Sequence, residues 1–209
     1  MASPAPYLMA PERHGEPGFL LRSYQPGDGA RVYDAVRSSY EHLKTFMAWA
    51  HQEHSVERSE QRCRESRAKW LSAQDFPIGI WAPDESRLLG GCGYHLREGG
   101  LELCNAEIGM WIRADAAGRG LGTAVLRALV RWGFTEWPWL RLSWRCSSAN
   151  RASQRTAEKG GLQREGVLRS HAIDPDGQRR DTCCYAILRE EWLRQHDPGL
   201  GERAAPGQR

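Results

Sequence analysis

The sequence has few features of membrane, secreted or metal-binding proteins. No stretch approaches the roughly 18 consecutive apolar residues of a membrane-spanning helix. The N-terminal stretch has no apolar core of signal-peptide length, and no two of the six cysteines form a Cys-x-x-Cys pair. His51 and His54 have a spacing seen in metal ligands, but no acidic or cysteine partner nearby completes a metal-binding set. We therefore expect a cytoplasmic protein with reduced cysteines, no metal site and no membrane partner.

The charge of the chain is nearly balanced. Lysine and arginine number 29 and aspartate and glutamate 26, which gives a formal net charge of +3. That excess is small and the arginines are scattered, so we expect no nucleic-acid partner. A length of 209 residues with 40% hydrophobic residues suits one domain with a substantial core. We predict a flexible arm over residues 1–18, one domain over 19–195 and a disordered tail over 196–209.

Alternating strand and helix patterns fill the predicted domain. Period-two patterns predict strands over 19–24, 77–81, 88–95, 102–113, 139–146, 162–171 and 180–188. Capping residues followed by apolar steps of three and four predict helices that begin at Asp28, Ser55, Gly120 and Asn150. Most of these strands follow one another directly, which a regular βαβ series does not allow. The pattern predicts an α/β (α+β) fold, with a mixed, mostly antiparallel central sheet of about seven strands and about four helices.

A glycine-rich turn, "GRGLG" over residues 118–122, leads straight into the third predicted helix. Backbone amides at a helix start, backed by the helix dipole, form an anion site that glycine leaves open. A P-loop is excluded because no Gly-Lys-Ser/Thr follows, and Thr123 stands where a dinucleotide fingerprint needs its third glycine. By itself the turn is equally compatible with a ligand site and with a plain connection between a strand and a helix.

Three segments together resemble a known superfamily. They are "EIGMWIRADAAGRGLGTAVL", "NRASQRTAEKGGLQREGVLR" and "RRDTCCYAIL". In this order they resemble the GCN5-related N-acetyltransferase (GNAT) superfamily, and most of all its Rim-type branch, which acetylates the N-termini of ribosomal proteins. The resemblance covers about residues 19–193. It implies a sheet splayed in the middle, acetyl-CoA as co-substrate and a primary amine as acceptor, with a protein N-terminus as the nearest analogy.

The resemblance also implies how the donor is held. The pyrophosphate would bind backbone amides of the glycine-rich turn, and the pantetheine arm would pair with the preceding strand, where an amide near Met110 polarises the thioester. The family's loop usually begins with Gln or Arg, and Ala117 departs from that pattern, which would weaken coenzyme A binding. The cofactor-binding residues implied are Met110, Trp111, Ile112, Gly118, Arg119, Gly120, Leu121, Gly122, Thr123 and Asn150.

Acetyl transfer also needs a neutral amine and a proton for the leaving thiolate. The family's tyrosine acid is absent because Ala157 occupies its place, whereas the Rim-type Asn-x-x-Ser pattern runs from Asn150 to Ser153. Ser153 is therefore the implied donor to sulfur and Glu107 the implied general base, with Asp181 or only water as alternatives. An α-amine titrates near 7.7–8.0, so a weak base suffices for an N-terminal acceptor.

The acceptor side is less specific. Phe46, Met47, Trp49 and His51 lie between the first two predicted helices, where they line either a peptide-binding pocket or ordinary packing. Of these, Trp49 is the residue that we assign to the acceptor, and we assign Asp181 to it as well, to orient either the substrate amine or a loop. A small-molecule amine acceptor and a non-catalytic acyl-CoA-binding module remain alternatives. An exposed edge strand in this fold is also compatible with a homodimer.

Overall fold

The computed structural model describes residues 9–50 and 55–196 and contains one mixed sheet. The sheet order is β1-β2-β3-β4-β5-β6-β8-β7, and every neighbouring pair is antiparallel except β5 and β6. The strands are β1 (Arg13–Glu16), β2 (Phe19–Ser23), β3 (Phe76–Trp81), β4 (Leu88–His95), β5 (Asn105–Ile112), β6 (Arg141–Ser147), β7 (Gln163–Ile173) and β8 (Arg179–Leu188).

Helices cover both faces of the sheet. They are α1 (Gly29–Ser38), α2 (Tyr40–Leu43), α3 (Val56–Leu71), α4 (Gly100–Leu103), α5 (Leu121–Thr135), α6 (Arg151–Lys159) and α7 (Arg189–His196), with a 3₁₀ turn at Ala114–Ala116. Helix α5 packs on the face that carries Tyr94, whose hydroxyl donates to the Leu129 carbonyl at 2.6 Å. Helices α1 and α3 pack on the opposite face, with Val36 and Cys63 in one buried cluster with Trp81. None of the described helices is long and apolar enough to cross a membrane.

The predicted fold class is confirmed, with small differences in the element counts. Within residues 9–50 and 55–196 there are eight strands and seven α-helices, against about seven and about four predicted. The first predicted helix is interrupted at Ser39, whose ψ of 5° leaves the helical range. The predicted strand from residue 102 begins only at Asn105, after the one-turn helix α4. Such short helices carry too few residues for a periodic signal.

The N-terminal boundary also differs from the prediction. Strand β1 lies inside the predicted flexible arm and pairs with all but the last residue of β2. The His14 ring stacks on Trp132 of α5 at 5.2 Å between centroids, and Glu16 is ion-paired with Arg131. The ordered domain therefore begins before residue 19. At the other end α7 reaches His196, and the rest of the predicted tail lies outside the described residues.

Strands β5 and β6 are joined over a short distance only. Their parallel pairing covers three residue pairs, from Asn105 with Arg141 to Glu107 with Ser143. Beyond that point β5 continues to Ile112 and β6 to Ser147 without pairing to each other. The predicted splay in the middle of the sheet is therefore present, and it opens immediately after Glu107.

Asp28 precedes α1 but does not cap it as predicted. Its side chain makes no cap hydrogen bond, and its two carboxylate oxygens accept from Arg22 at 2.7 and 3.0 Å. Arg22 in turn lies over the Trp81 ring, 4.0 Å from its centroid. This buried pair fixes the start of α1 to strand β2, because a buried charge without its partner is strongly destabilising.

We predict that Asp28→Ala lowers the free energy of unfolding by about 3 kcal/mol, because Arg22 then remains buried without its main partner. Urea denaturation followed by circular dichroism measures the change. Glu41→Ala is the control, since Glu41 is 77% exposed and pairs only with Lys44 on the surface. Equal effects of the two substitutions would contradict the prediction.

Candidate active site

A cavity of about 450 Å³ lies where β5 and β6 separate. Strands β4, β5 and β6 contribute its floor and one wall, the segment after α2 and helix α3 contribute the opposite wall, and α6 closes one end. Among the predicted residues, the structure brings Glu107, Met110, Trp111, Asn150, Ser153 and Trp49 to this cavity.

The floor of the cavity is made by glycines in register across neighbouring strands. Gly93 pairs with Pro77 on one side and with Gly109 on the other, so these three residues form a row across the sheet. The neighbouring row joins Gly91 with Trp111. Residues on one face of a strand alternate, so the face that carries Glu107 and Trp111 is bare between them. This lack of side chains deepens the cavity.

The glycine-rich loop has the geometry expected of an anion site. Gly118 and Gly120 have φ values of 75° and 88°, and an added Cβ at either would meet nothing within 4 Å. The first backbone hydrogen bond of α5 runs from Ala124 to Gly120, and the helix has neither a side-chain cap nor an acidic residue in its first turn. Within the described residues, the amides of 118–123 therefore have no hydrogen-bond acceptor. The loop fits an anionic group such as a pyrophosphate.

The loop is also anchored to the first helices. Ser39, where the predicted helix is interrupted, accepts a hydrogen bond from the Ala114 amide at 3.0 Å. The buried Arg113 side chain donates to Asp34 of α1 at 2.5 Å. These contacts fix the loop relative to α1, which a free connection between a strand and a helix would not require.

Residues 110–112 follow the last paired residue of β5 on its β6 side. Their partners on the other side are Ile112 with Gly90, Trp111 with Gly91 and Met110 with Cys92. Because β6 has already diverged, the second backbone edge of this segment is open to a strand-like ligand. The position fits the pantetheine arm that the sequence resemblance implies.

Glu107 is buried and already partly engaged. Its side chain is 6% exposed, and Oε1 accepts from Arg97 Nη1 at 2.5 Å. The other oxygen, Oε2, is buried without a hydrogen-bond partner among the described residues, and Arg145 Nε lies 3.9 Å away. Glu107 is therefore ion-paired through one oxygen, while the other makes no hydrogen bond to a described residue.

Asn150 and Ser153 form the start of α6. The Asn150 side-chain oxygen accepts from the Ser153 amide at 3.0 Å, so the predicted N-cap is confirmed. The Ser153 hydroxyl oxygen accepts from Trp144 Nε1 at 3.1 Å. Because that bond uses an oxygen lone pair, the hydroxyl proton remains available to donate.

A sulfur atom already lies beside that hydroxyl. Burial raises the pKa of the Cys146 thiol, and a hydrogen bond with Ser153 partly offsets the rise. Ser153 is thus placed to donate to sulfur at the end of the cavity formed by α6.

The acceptor wall is aromatic with a cation beside it. The Trp49 and Trp111 rings meet edge to face at 5.7 Å, and the Arg62 guanidinium lies 5.4 Å from the Trp49 ring. Phe46 and Met47 also line the cavity, so the predicted apolar segment does face it. His51 lies outside the described residues.

Asp181 does not line the cavity. Its Oδ1 accepts from the Ser170 amide of β7 at 2.8 Å, and its carbonyl accepts from the Ser148 amide at 3.0 Å. Asp181 therefore holds the backbone around the end of β6, away from the floor that carries Glu107. Of its two predicted roles, the ordering of a loop fits this position.

Several polar residues of the cavity were missed from the sequence. They are His95, Arg97, Arg145 and Arg180. A signal for His95 is present in "GGCGYH", where every second residue before it on the same strand face is glycine. No group of three or more His, Cys, Asp or Glu side chains within residues 9–50 and 55–196 is arranged to hold a metal ion.

The open mixed sheet, which splits beside a glycine-rich helix start, is typical of an acyltransferase-like fold. Sequence comparison then identifies the family. The family described as "Acetyltransferase (GNAT) domain" matches residues 19–163. The chain therefore belongs to the GNAT acetyltransferase family.

Individual relatives and solved structures agree with this assignment. The chain is 32% identical over 87 residues to the putative ribosomal N-acetyltransferase YdaF of Bacillus subtilis (strain 168), a match covering 42% of this chain and 47% of YdaF. The ribosomal L7/L12 alpha-N-protein acetyltransferase RimL in complex with coenzyme A superposes with a TM-score of 0.74 at 17% identity, covering 83% of this chain and 95% of RimL. The microcin C7 self-immunity acetyltransferase MccE in complex with acetyl-CoA and AMP gives 0.73 at 19% identity, covering 83% and 93%.

We predict that Ser153→Ala shifts the alkylation of Cys146 to higher pH, because the hydrogen bond that lowers the thiol pKa is lost. Iodoacetamide labelling across the alkaline range, read for each cysteine by mass spectrometry, measures the shift. Cys184 is the internal control, because burial raises the pKa of its thiol without any contribution from Ser153. An unchanged Cys146 profile would show that the hydroxyl does not donate to this sulfur.

Proposed function

We propose that the protein is an acetyl-CoA-dependent N-acetyltransferase whose acceptor is a primary amine, most of all the N-terminal α-amine of a protein or peptide. The observation that carries the proposal is the coincidence of two features. The open edge of β5 at Met110 and Trp111 lines the cavity that also holds Glu107 and Ser153, and at the start of α5 an added Cβ at Gly122 would lie 3.9 Å from the sulfur of Met110. An extended acyl carrier and an amine could therefore meet there.

The donor is held by main chain. Amides of Gly118, Arg119, Gly120, Leu121, Gly122 and Thr123 bind the pyrophosphate, and Met110, Trp111 and Ile112 pair with the pantetheine arm. Acetyl-CoA, when bound, supplies the acetyl thioester. The Met110 amide polarises its carbonyl oxygen, which is the usual role of a backbone donor in acyl transfer. Ala117 contributes no cation, so amides and the helix dipole carry the binding.

Ser153 and Glu107 act on opposite sides of the reacting carbonyl. The Ser153 oxygen is held by Trp144, and its hydroxyl proton turns from the neighbouring Cys146 sulfur to the departing sulfur. Glu107 lines the cavity on the acceptor side, where it is ion-paired with Arg97 and orients the amine, directly or through a water.

An α-amine acceptor is supported by the names of relatives and by the chemistry of the site. YdaF is named a putative ribosomal N-acetyltransferase and RimL a ribosomal L7/L12 alpha-N-protein acetyltransferase. The cavity wall of Phe46, Met47 and Trp49 suits the first side chains of a peptide, and the described residues that line the cavity include no acidic cluster for a polyamine. A small-molecule amine is the second candidate, because a cavity of about 450 Å³ lies within the range of small-ligand sites.

Two further properties belong to this proposal. All six cysteines are free, which supports action in the reducing cytoplasm. The edge strand β7 exposes Val167, Leu168 and Ile173, which supports a homodimer through that edge.

Calorimetric titration with acetyl-CoA, with NAD as the control, tests the donor site. We predict saturable micromolar binding of acetyl-CoA alone. Peptides with a free N-terminal alanine or serine should then gain one acetyl group by mass spectrometry, whereas the same peptides with a blocked N-terminus and a free lysine should not. Absence of acetyl-CoA binding would contradict the proposed function. If the protein binds acetyl-CoA but acetylates only small amines, a small-molecule amine replaces the N-terminal α-amine as the acceptor.

A comparison of two helix caps separates the proposed role of Asn150 in acetyl-CoA binding from its structural role as an N-cap. Asn150 caps α6 and Ser55 caps α3, where its hydroxyl accepts from the Arg58 amide at 3.2 Å. We predict that Asn150→Ala and Ser55→Ala each cost about 1 kcal/mol of stability. Only Asn150→Ala should weaken acetyl-CoA binding by calorimetry. Equal affinities in the two variants would leave Asn150 with capping alone.

A further inference from the structure

An Asp–His pair lies at the edge of the cavity. His95 Nδ1 lies 3.1 and 3.0 Å from the two oxygens of Asp75, which precedes β3. A carboxylate beside one ring nitrogen favours the tautomer that carries the proton on that nitrogen. His95 Nε2 makes no hydrogen bond to any described residue, so its lone pair is free in that tautomer.

The free nitrogen lies over the glycine floor. An added Cβ at Gly109 would lie 2.7 Å from His95 Nε2, and His95 is the cross-strand partner of Glu107. Gly109 immediately precedes Met110, whose amide is the proposed polariser of the thioester. The imidazole therefore lies beside the place where an attacking amine has to approach.

His95 is better suited than Glu107 to take a proton. One oxygen of Glu107 is held by Arg97, and the other is fully buried. The His95 side chain is 21% exposed and borders both the main cavity and a second one lined by Lys69, Gln74 and Asp75. It can therefore receive a proton from the main cavity and release it to the second one.

We propose that His95 is the general base of the acetyl transfer and that Asp75 is its positioning residue. This inference rests on the proposed function and specifies the proton acceptor in it. The neutral amine nitrogen forms a bond to the acetyl carbon while the carbon–sulfur bond breaks. The amine proton passes to His95 Nε2, and the departing sulfur gains one proton from Ser153, which is re-protonated from solvent. His95 later releases its proton to solvent, so the proton lost by the amine equals the proton gained by the departing sulfur.

The charged groups around His95 come from three elements and two connecting segments. Asp75 precedes β3, Lys69 lies on α3, Glu107 on β5 and Arg145 on β6, while Arg97 follows β4. Two of these groups are carboxylates next to His95. Asp75 is hydrogen-bonded to the ring, and Glu107 is the cross-strand partner of His95. Arg97 is committed to Glu107, and Arg145 to Glu98.

The kinetic test uses the full chain, acetyl-CoA and a peptide with a free N-terminal alanine. We predict that His95→Gln lowers kcat/KM roughly 10²-fold at pH 7. The loss should shrink as pH rises, because hydroxide from solvent then takes over part of the removal of the amine proton. Asp75→Asn should give the same pH dependence with a smaller loss, because the tautomer is no longer fixed. Glu107→Gln should instead raise KM across the pH range.

His196→Gln is the matched control. His196 is hydrogen-bonded to the Trp192 carbonyl at 2.9 Å on α7 and does not line the cavity. It should leave activity unchanged. A His95→Gln enzyme with the wild-type pH profile would overturn the proposal, whereas a wild-type protein that neither binds acetyl-CoA nor acetylates the peptide would overturn the proposed function.

A second readout needs neither acetyl-CoA nor an acceptor. The nitrogen-15 chemical shifts of the imidazoles, with His95 assigned by difference from His95→Gln, report which ring nitrogen carries the proton. We expect the proton on Nδ1 in the neutral wild-type ring and a mixture of tautomers in Asp75→Asn. A proton on Nε2 in the wild type would exclude His95 as the base, even if the peptide is not acetylated.

Discussion

The short parallel contact between β5 and β6 is the constraint on which the rest of this structure depends. Three residue pairs join the two strands, and their separation after Glu107 and Ser143 opens both the cavity and the free backbone edge of Met110 to Ile112. Further pairing would give the same sheet a closed surface with no place for a ligand. The halves remain associated because α5 packs against the sheet beneath the split and buries residues such as Val125 and Leu129.

The split alone would give a shallow groove, and glycine gives it depth. Gly91, Gly93 and Gly109 come into register because β4 and β5 pair without a bulge. Any side chain at Gly109 would meet the ring of His95, and one at Gly91 would meet the indole of Trp111. The polar groups thus stand around a bare floor, with Glu107 and His95 side by side as cross-strand partners.

Local signals in the sequence predict the parts of the site that local structure forms. The turn from Gly118 and the cap at Asn150 are set by neighbouring residues, and both lie where they were predicted. His95 was missed because its role depends on strand register and on Asp75, which lies 20 positions earlier in the chain. Asp28 was predicted as a helix cap because the sequence does not show that a buried Arg22 competes for its carboxylate. Strand β1 was missed because its charges and the prolines on either side of it resemble a tail, and pairing with β2 and packing on α5 order it.

The irregular backbone of strand β7 limits which other strands can pair with this edge of the sheet. It is the long outer strand of the sheet, exposed along nearly its whole length, and such edges template the pairing of other chains. Two register shifts interrupt its ladder, one near Gly166 and one between Leu168 and Ala172, where Ser170 has a φ of 50°. A partner strand would have to reproduce both irregularities to add to this edge. The bent edge thus discriminates against amyloid-like stacking while leaving its apolar residues open to a partner of matching shape.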